Sequence, residues 1–384
     1  MKVLSLFDGM ACGMIAFKEL GIPIERYVAY EIDKYAVQTS NHNFPMIEHR
    51  GDVFEADFSE FVGFDWLVGG SPCTYWSIAQ KNNRETEASG IGWELFSQYV
   101  RALHEAKPKY FIYENNKSMS KAIRASIDEA FGFGAVLINS ALVSAQNRQR
   151  LYWVGKRNAD GTYSKVDVKQ PIDRGILLKD ILERGCDLTS NDKSYCITAT
   201  YDCACAWNTL ERNQRTMVAE PVRIGTYPNE AKNQDKHDSQ QYRIYSTEGK
   251  GVTLCGNGGG MGGKTGLYAI PVEFDGNIPT KAISQADGKT YQVHKAENGL
   301  ITIKGKQYPI KLADGYYIIR KLTVSECKRL QTVPEWYEFP VSNSQAYKML
   351  GNGWTVDVIK HLITSAYSRP VVNWTKQITF DELV

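Results

Sequence analysis

Apolar positions in the first 157 residues change their period again and again. "KVLSLF" (2–7) is a short apolar run suited to a buried strand, and "GMIAFKELG" (13–21) follows with helical spacing, closed by Gly21 with Pro23 beyond. Strand-like "RYVAYEI" precedes helical "KYAVQTSNHNF", and "DWLVGG" precedes the amphipathic "WELFSQYVRALHEAKP", which stops at Pro108. "YFIYEN" then leads to a helix around 119–131, and the stretch closes on "AVLINSALV" and "RLYWVG" with no helical pattern between them. Repeated strand–helix–strand units predict an α/β, Rossmann-like, mostly parallel sheet covered on both faces, with an antiparallel hairpin at its edge.

From about 158 to 319 the texture changes to Asn, Gly, Thr, Lys and Tyr, with short β-like pieces such as "PVRIGTY", "QYRIYST" and "YYIIR". "GNGGGMGGKTG" (256–266) lacks the GxxxxGK[ST] spacing and a following helix, so it reads as a surface loop rather than a phosphate cradle. Helical pattern returns in "TVSECKRLQTV" and "SQAYKMLGNGWTVDVIKHLITSAYS". Three regions follow: an α/β domain over 1–157, a smaller β-rich insert over 158–319, and a segment over 320–384 that returns to the first.

A chain of 384 residues, 43% of them hydrophobic, can bury a sizeable core. Formal net charge is only +2, so any surface for nucleic acid must be local. The eight cysteines show no paired CxxC spacing and no histidine cluster beside them, which predicts free thiols, a reducing compartment and no metal site. No signal-peptide core and no membrane-length apolar run is visible, so a soluble protein is expected.

The first strand ends in "FDGMACG", where Gly9 and Gly13 allow a sharp turn and a close ligand approach. Glu31 ends the next strand, where such folds hold ribose hydroxyls. Asp8 in the turn would repel a pyrophosphate, so a ligand with a ribose and a cationic end, such as S-adenosylmethionine, fits better than a dinucleotide. Asp52, in "GDVFEAD", is placed to accept from an adenine amine, or simply to cap a turn. In "GGSPCTYWS" a lone thiol, Cys73, stands behind Pro72 at the end of the fourth strand, and Glu114 ends the fifth. Ligands of parallel sheets sit beyond such strand ends, so thiol and carboxyl can flank one small substrate. Burial there would favour the protonated form of a carboxyl group. "QNRQR" (146–150) sets Arg148 and Arg150 on one face of the edge strand.

In order, "FDGMACG", "YEID", "GDV", "GGSPC", "EN", "QNRQR", "RKLTVSECKRLQTVP" and "LGNGW" resemble the blocks of the DNA cytosine-C5 methyltransferases. The resemblance covers both ends of the chain, with the insert standing where the family has its target-recognition domain. It implies a class I methyltransferase sheet and transfer of a methyl group from S-adenosylmethionine to carbon 5 of a cytosine flipped out of duplex DNA, through a covalent bond from Cys73 to carbon 6. By the same resemblance Glu114 bonds the base, Arg148 holds its carbonyl and Arg150 supports it. Phe7, Asp8, Gly9, Gly13, Glu31, Ile32, Asp52, Val53, Pro72, Asn352 and Trp354 would form the cofactor site, with S-adenosylhomocysteine as the product and no metal. Residues 74–92, with Gly90 and Gly92 as hinges, would close over the DNA. A cytoplasmic monomer, prokaryotic or phage-encoded and of restriction-modification type, is the default expectation.

Two departures stand out. Asn116 follows "EN" where many members carry valine, and "GNGW" differs from the commoner forms with Ser or Ala before an apolar residue. RNA cytosine methylation shares this chemistry, but the long insert favours DNA. A weakly active DNA-binding protein on the same fold is the rival from another class, and the intact Cys73, Glu114 and Arg148 argue against it.

Overall fold

In a computed structural model of the protein, residues 1–77, 84–183, 186–187, 191–221, 223–226, 243–246, 267–269, 280–284, 286–309 and 314–367 are described. The expected glycine-rich loop at 256–266 and the middle of the 74–92 segment lie outside them.

The main sheet contains β1 (Lys2–Leu6), β2 (Arg26–Tyr30), β3 (Glu48–His49), β4 (Trp66–Gly69), β5 (Tyr110–Asn116), β6 (Val136–Asn139), β7 (Gln149–Arg157) and β8 (Tyr163–Lys165). Their order is β3-β2-β1-β4-β5-β7-β6, with β8 also paired to β7. β1 to β5 run parallel, whereas β7 is antiparallel to both β5 and β6, which is the expected edge hairpin.

Helices α1 (Cys12–Glu19), α2 (Lys34–Asn43), α3 (Gly90–Ala106) and α4 (Lys121–Phe131) cover the sheet. The α3 repeat buries Phe96, Tyr99 and Leu103, and the Tyr99 hydroxyl donates to the carbonyls of Leu67 on β4 and Ile112 on β5, at 3.2 and 2.8 Å. Aromatic and aliphatic side chains from α3, α4, β4 and β5 make one core on this face. The other face is covered by α1 and the returning C-terminal helices.

The insert contributes two short helices, α5 (Leu178–Ile181) and α6 (Ala206–Leu210), and strands β9 (Cys186–Asp187) and β10 (Met217–Pro221). Then come β11 (Arg223–Thr226), β12 (Arg243–Ser246), β13 (Leu267–Ala269), β14 (Lys281–Ile283), β15 (Thr290–Glu297), β16 (Leu300–Ile303), β17 (Lys306–Pro309) and β18 (Gly315–Lys321). A second, antiparallel sheet runs β17-β16-β15-β18-β10-β9, and β11-β12-β13 form a small third one. Its own core is modest, built on residues such as Met217, Ile301, Tyr308 and Tyr317. The early insert belongs elsewhere: Val168, Leu178, Ile181, Ile197, Tyr201 and Val218 sit in the core beneath the main sheet. The texture change at 158 is therefore not a boundary between two cores.

The return is made by α7 (Val324–Leu330), α8 (Asn343–Asn352) and α9 (Val356–Ala366). Thr323 and Glu326 form a capping box at the start of α7. Glu326 also takes a two-pronged ion pair from Arg320 of β18, both side chains fully buried, at 2.8 and 3.0 Å. That pair ties the last strand of the second sheet to the start of α7.

Candidate active site

The β1–α1 turn is strained. Phe7, Gly9 and Ala11 all take left-handed backbone, with φ of 58°, 57° and 59°. For Phe7 and Ala11 this costs about 1–2 kcal/mol each, the kind of strain that functional turns store. The turn carries Asp8 into a buried position, where Ser5 and Tyr27 hydroxyls donate to Oδ1 at 2.6 and 2.8 Å. Oδ2 is buried with no hydrogen-bond partner. Desolvation raises the Asp8 carboxyl from 3.8 to about 6, against the pull of its two hydroxyl donors.

This turn opens on a cavity of about 230 Å³ that runs from Phe7, Asp8, Gly9 and Glu31 to Pro72, Cys73 and Glu114, closed by Asn352 and Trp354. Among the described residues, four carboxylates line it (Asp8, Glu31, Asp33 and Glu114) against one cation, Lys348, whose ammonium is 2.6 Å from Asp33. Neither Asp33 nor Lys348 was an expected site residue, because each reads in sequence as an ordinary helix charge. Such a lining suits a ligand with cationic groups, and Asp8 Oδ2 offers it an acceptor. The Glu31 carboxylate accepts from the backbone N–H groups of Gly9, Ile32 and Asp33 at 2.8–2.9 Å. Ile32 is 75% exposed and is not among the residues that line the cavity.

Other expected cofactor residues do not line the cavity. Gly13 lies inside α1, where an added Cβ would meet the Tyr27 hydroxyl at 3.0 Å. Asp52 accepts from Phe54 N at 3.0 Å and caps a short 3-10 turn. Val53 points into the core, 4% exposed, so its side chain is removed from the cavity by packing.

Cys73 opens a single turn of 3-10 helix directly after Pro72. The loop before it is held from β5: Asn115 donates to the Ser71 carbonyl at 3.1 Å, and the Ser71 and Tyr113 hydroxyls are 2.7 Å apart. Burial pushes the Cys73 thiol up, with Glu114 adding to this, while Arg150, Arg148 and Asn116 oppose it. The Glu114 carboxylate meets two donors, Arg150 Nε at 3.1 Å on Oε1 and the Trp354 indole N–H at 2.9 Å on Oε2. Trp354 thus touches the Glu114 carboxylate as well as the cavity.

The two arginines divide differently from expectation. Arg150 pairs with Glu114, with 16% of its side chain exposed. Arg148 is 3% exposed and donates to the carbonyls of Ile197, Gly351 and Gly353 at 2.9, 3.0 and 2.8 Å. Its guanidinium is spent on joining the edge strand, the early insert and the returning loop, which leaves Arg150 as the arginine paired with Glu114. Both lie beside the Cys196 sulfur, at 3.4 and 3.9 Å, and their positive charge outweighs burial to lower that thiol.

At the 74–92 segment, Trp76 is buried and its indole donates to Glu85 at 2.9 Å, pinning the two stems together. The expected hinges Gly90 and Gly92 instead form the first turn of α3. A Cβ on Gly92 would come within 2.5 Å of Glu85 and 2.6 Å of the Trp76 indole, so its smallness serves the stem contact. Among the described residues no helix is long and apolar enough to cross a membrane, and no His, Cys, Asp or Glu group is arranged to hold a metal.

The chain is similar to the orphan methyltransferase M.SPRI of Bacillus phage SPR, 27% identical with 94% of this chain and 96% of that protein covered. It is likewise similar to the type II methyltransferase M.HhaI of Haemophilus parahaemolyticus, at 24% identity with 94% and 93% covered. A Spodoptera frugiperda DNMT2 structure shares the fold at a TM-score of 0.53 and 16% identity, covering 96% of this chain and 99% of that one. An Entamoeba histolytica methyltransferase, EhMeth, does so at 0.50 and 11%, with 95% and 97% covered. The family model described as C-5 cytosine-specific DNA methylase matches residues 1–368. With nearly its whole length matched, the chain belongs to the C-5 cytosine-specific DNA methylase family, whose members methylate cytosine with S-adenosylmethionine.

Proposed function

We propose that this enzyme methylates carbon 5 of a cytosine flipped out of duplex DNA, by way of a covalent bond between Cys73 and carbon 6. The observation that carries this reading is the single cavity that joins the Asp8–Glu31 end to Cys73 and Glu114. The first end fits the ribose and cationic groups of S-adenosylmethionine, with Asp8 Oδ2 as the acceptor for the ammonium group and Glu31 for the ribose. The cofactor, when bound, supplies a sulfonium methyl group.

Carbon 5 of cytosine is a weak nucleophile because it belongs to an aromatic ring. A thiolate at Cys73 adds to carbon 6, and the electron pair of the ring's double bond moves towards N3 and the carbonyl. Glu114 shares a proton at N3 and accepts from the exocyclic amine, so that the negative charge is neutralised where it develops. Arg150, beside both Cys73 and Glu114, holds the base carbonyl, and Arg148 fixes the strand that carries Arg150. Carbon 5 is then electron-rich and would take the methyl group as the methyl–sulfur bond breaks, leaving S-adenosylhomocysteine as the neutral thioether. Loss of its proton to solvent restores the double bond and expels Cys73. A stacked base exposes neither face to a thiol, which is why flipping is required. The insert supplies Lys, Arg, Tyr, Asn and Gln for backbone and base-edge contacts.

The test is labelled-methyl transfer to duplex DNA with base-resolution mapping, together with trapping on duplexes that carry 5-fluorocytosine at the mapped site. Wild type should label cytosine and become permanently linked to the fluorinated duplex, and Cys73→Ala should do neither. Methylation by Cys73→Ala would overturn the covalent route. Transfer to RNA but not DNA would overturn the substrate.

A further inference from the structure

We propose that Asn116 is a donor to the nucleophile: its side-chain amide holds Cys73 in place and stabilises the sulfur as it becomes anionic. This rests on the reading of Cys73 as the attacking group. Asn116 is the last residue of β5, and strand alternation sets it on the same face as Glu114, opposite Arg150 of β7. It is 5% exposed.

Its amide orientation is fixed by its neighbours. The Ser118 hydroxyl donates to Oδ1 at 2.8 Å, which leaves Nδ2 turned the other way. One Nδ2 hydrogen goes to Asn115 Oδ1, at 3.3 Å. The other meets the Cys73 carbonyl at 3.3 Å, which sets the amide's donor end beside the residue that carries the sulfur. Asn115 Oδ1 is in turn fixed by the Asn116 backbone N–H, at 2.8 Å. The amide is therefore held in one orientation, with its NH2 end turned toward Cys73. Burial works against a thiolate here, so a fixed dipole beside the sulfur acts where help is needed. An apolar side chain in this place would offer no donor.

The test uses the full chain without cofactor or DNA. Alkylation of Cys73 by iodoacetamide is followed across pH by mass spectrometry of its peptide, with the exposed thiols Cys203 and Cys205 as internal references. Asn116→Val removes the donor, and Asn116→Thr keeps nearly the same shape with a hydroxyl donor. The expected result is a Cys73 midpoint about one pH unit higher in the Val variant, about tenfold slower alkylation at neutral pH, and recovery of part of that loss in Thr. The reference thiols should not move, and kcat should fall with little change in KM for the cofactor. A Val midpoint equal to wild type, or equal shifts in Val and Thr, would overturn the proposal. These outcomes stand apart from the trapping experiment, which tests Cys73 itself and is read on the wild-type enzyme.

Discussion

Asp8→Asn separates the stability cost of the cofactor turn from its use. The Asp8 carboxyl is raised from 3.8 to about 6 by burial, and one of its oxygens has no partner. A shift of about two units corresponds to about 3 kcal/mol at 1.36 kcal/mol per unit. Because the folded value lies above the unfolded one, the folded chain carries a proton between about pH 4 and 6 that the unfolded chain has lost. The contribution of Asp8 to stability is therefore fully present below about pH 4 and lost as pH rises through 6. Asparagine keeps the Oδ1 acceptor for Ser5 and Tyr27 but cannot ionise. The stability of the variant minus that of wild type should thus climb by about 3 kcal/mol between pH 4 and 7, then level off. Urea unfolding followed by the fluorescence of the eight tryptophans measures this, and a constant offset in the difference cancels. In calorimetry at pH 7.5 the variant should bind S-adenosylmethionine at least tenfold more weakly, since it lacks the anionic acceptor. Wild-type affinity should fall as pH drops below 6, and the variant's should not. A stability difference that is flat from pH 4 to 7 would refute the placement of a strained, desolvated carboxylate at this turn.

Trp354→Phe keeps a ring in the cavity but removes the donor to Glu114 Oε2; kcat should drop about tenfold while KM for the cofactor changes little. Steady-state kinetics on duplex DNA checks this, and equal losses in both parameters would point to a role in cofactor binding alone. Arg148→Ala should cost about 3–5 kcal/mol in urea unfolding, because it strands three carbonyls, whereas Arg150→Ala should cost less, because Glu114 keeps the Trp354 donor, yet lower methyl transfer at least a hundredfold. Gly351→Ala would put a Cβ 2.2 Å from Thr198 backbone and 2.4 Å from Ala199 N, so it should push the early insert off the returning loop and lower the melting temperature by several degrees.

The alternating core of the fold was legible because each strand and helix of residues 1–157 buries a face whose period shows in the chain. Cys73 and Glu114 could be expected to meet because neighbouring strand ends in a parallel sheet converge on one crevice, and both line the cavity. The division of labour between Arg148 and Arg150 was not legible, since it depends on the carbonyls of Ile197, Gly351 and Gly353, which come from segments far apart in sequence. The same holds for Lys348 and Asp33, which meet only when α8 packs beside α2. Where the Val53 side chain goes was not legible from the short block "GDV", because the core beneath it decides which way each of its side chains turns. Asn116 was visible as a departure, but its use depends on Ser118 and Asn115 turning the amide.

β10 and β18 are hydrogen-bonded neighbours in register from Met217↔Lys321 to Pro221↔Tyr317. The intervening chain therefore leaves and re-enters the molecule at almost one point, and its closure cost grows only with the logarithm of its length. Changes of length in the chain between these two strands can accordingly be absorbed without moving the places where it leaves and rejoins the rest of the fold. Grafts cut instead at the change of texture near 158 would carry away Ile197 and Tyr201, and with them part of the floor on which the catalytic groups rest.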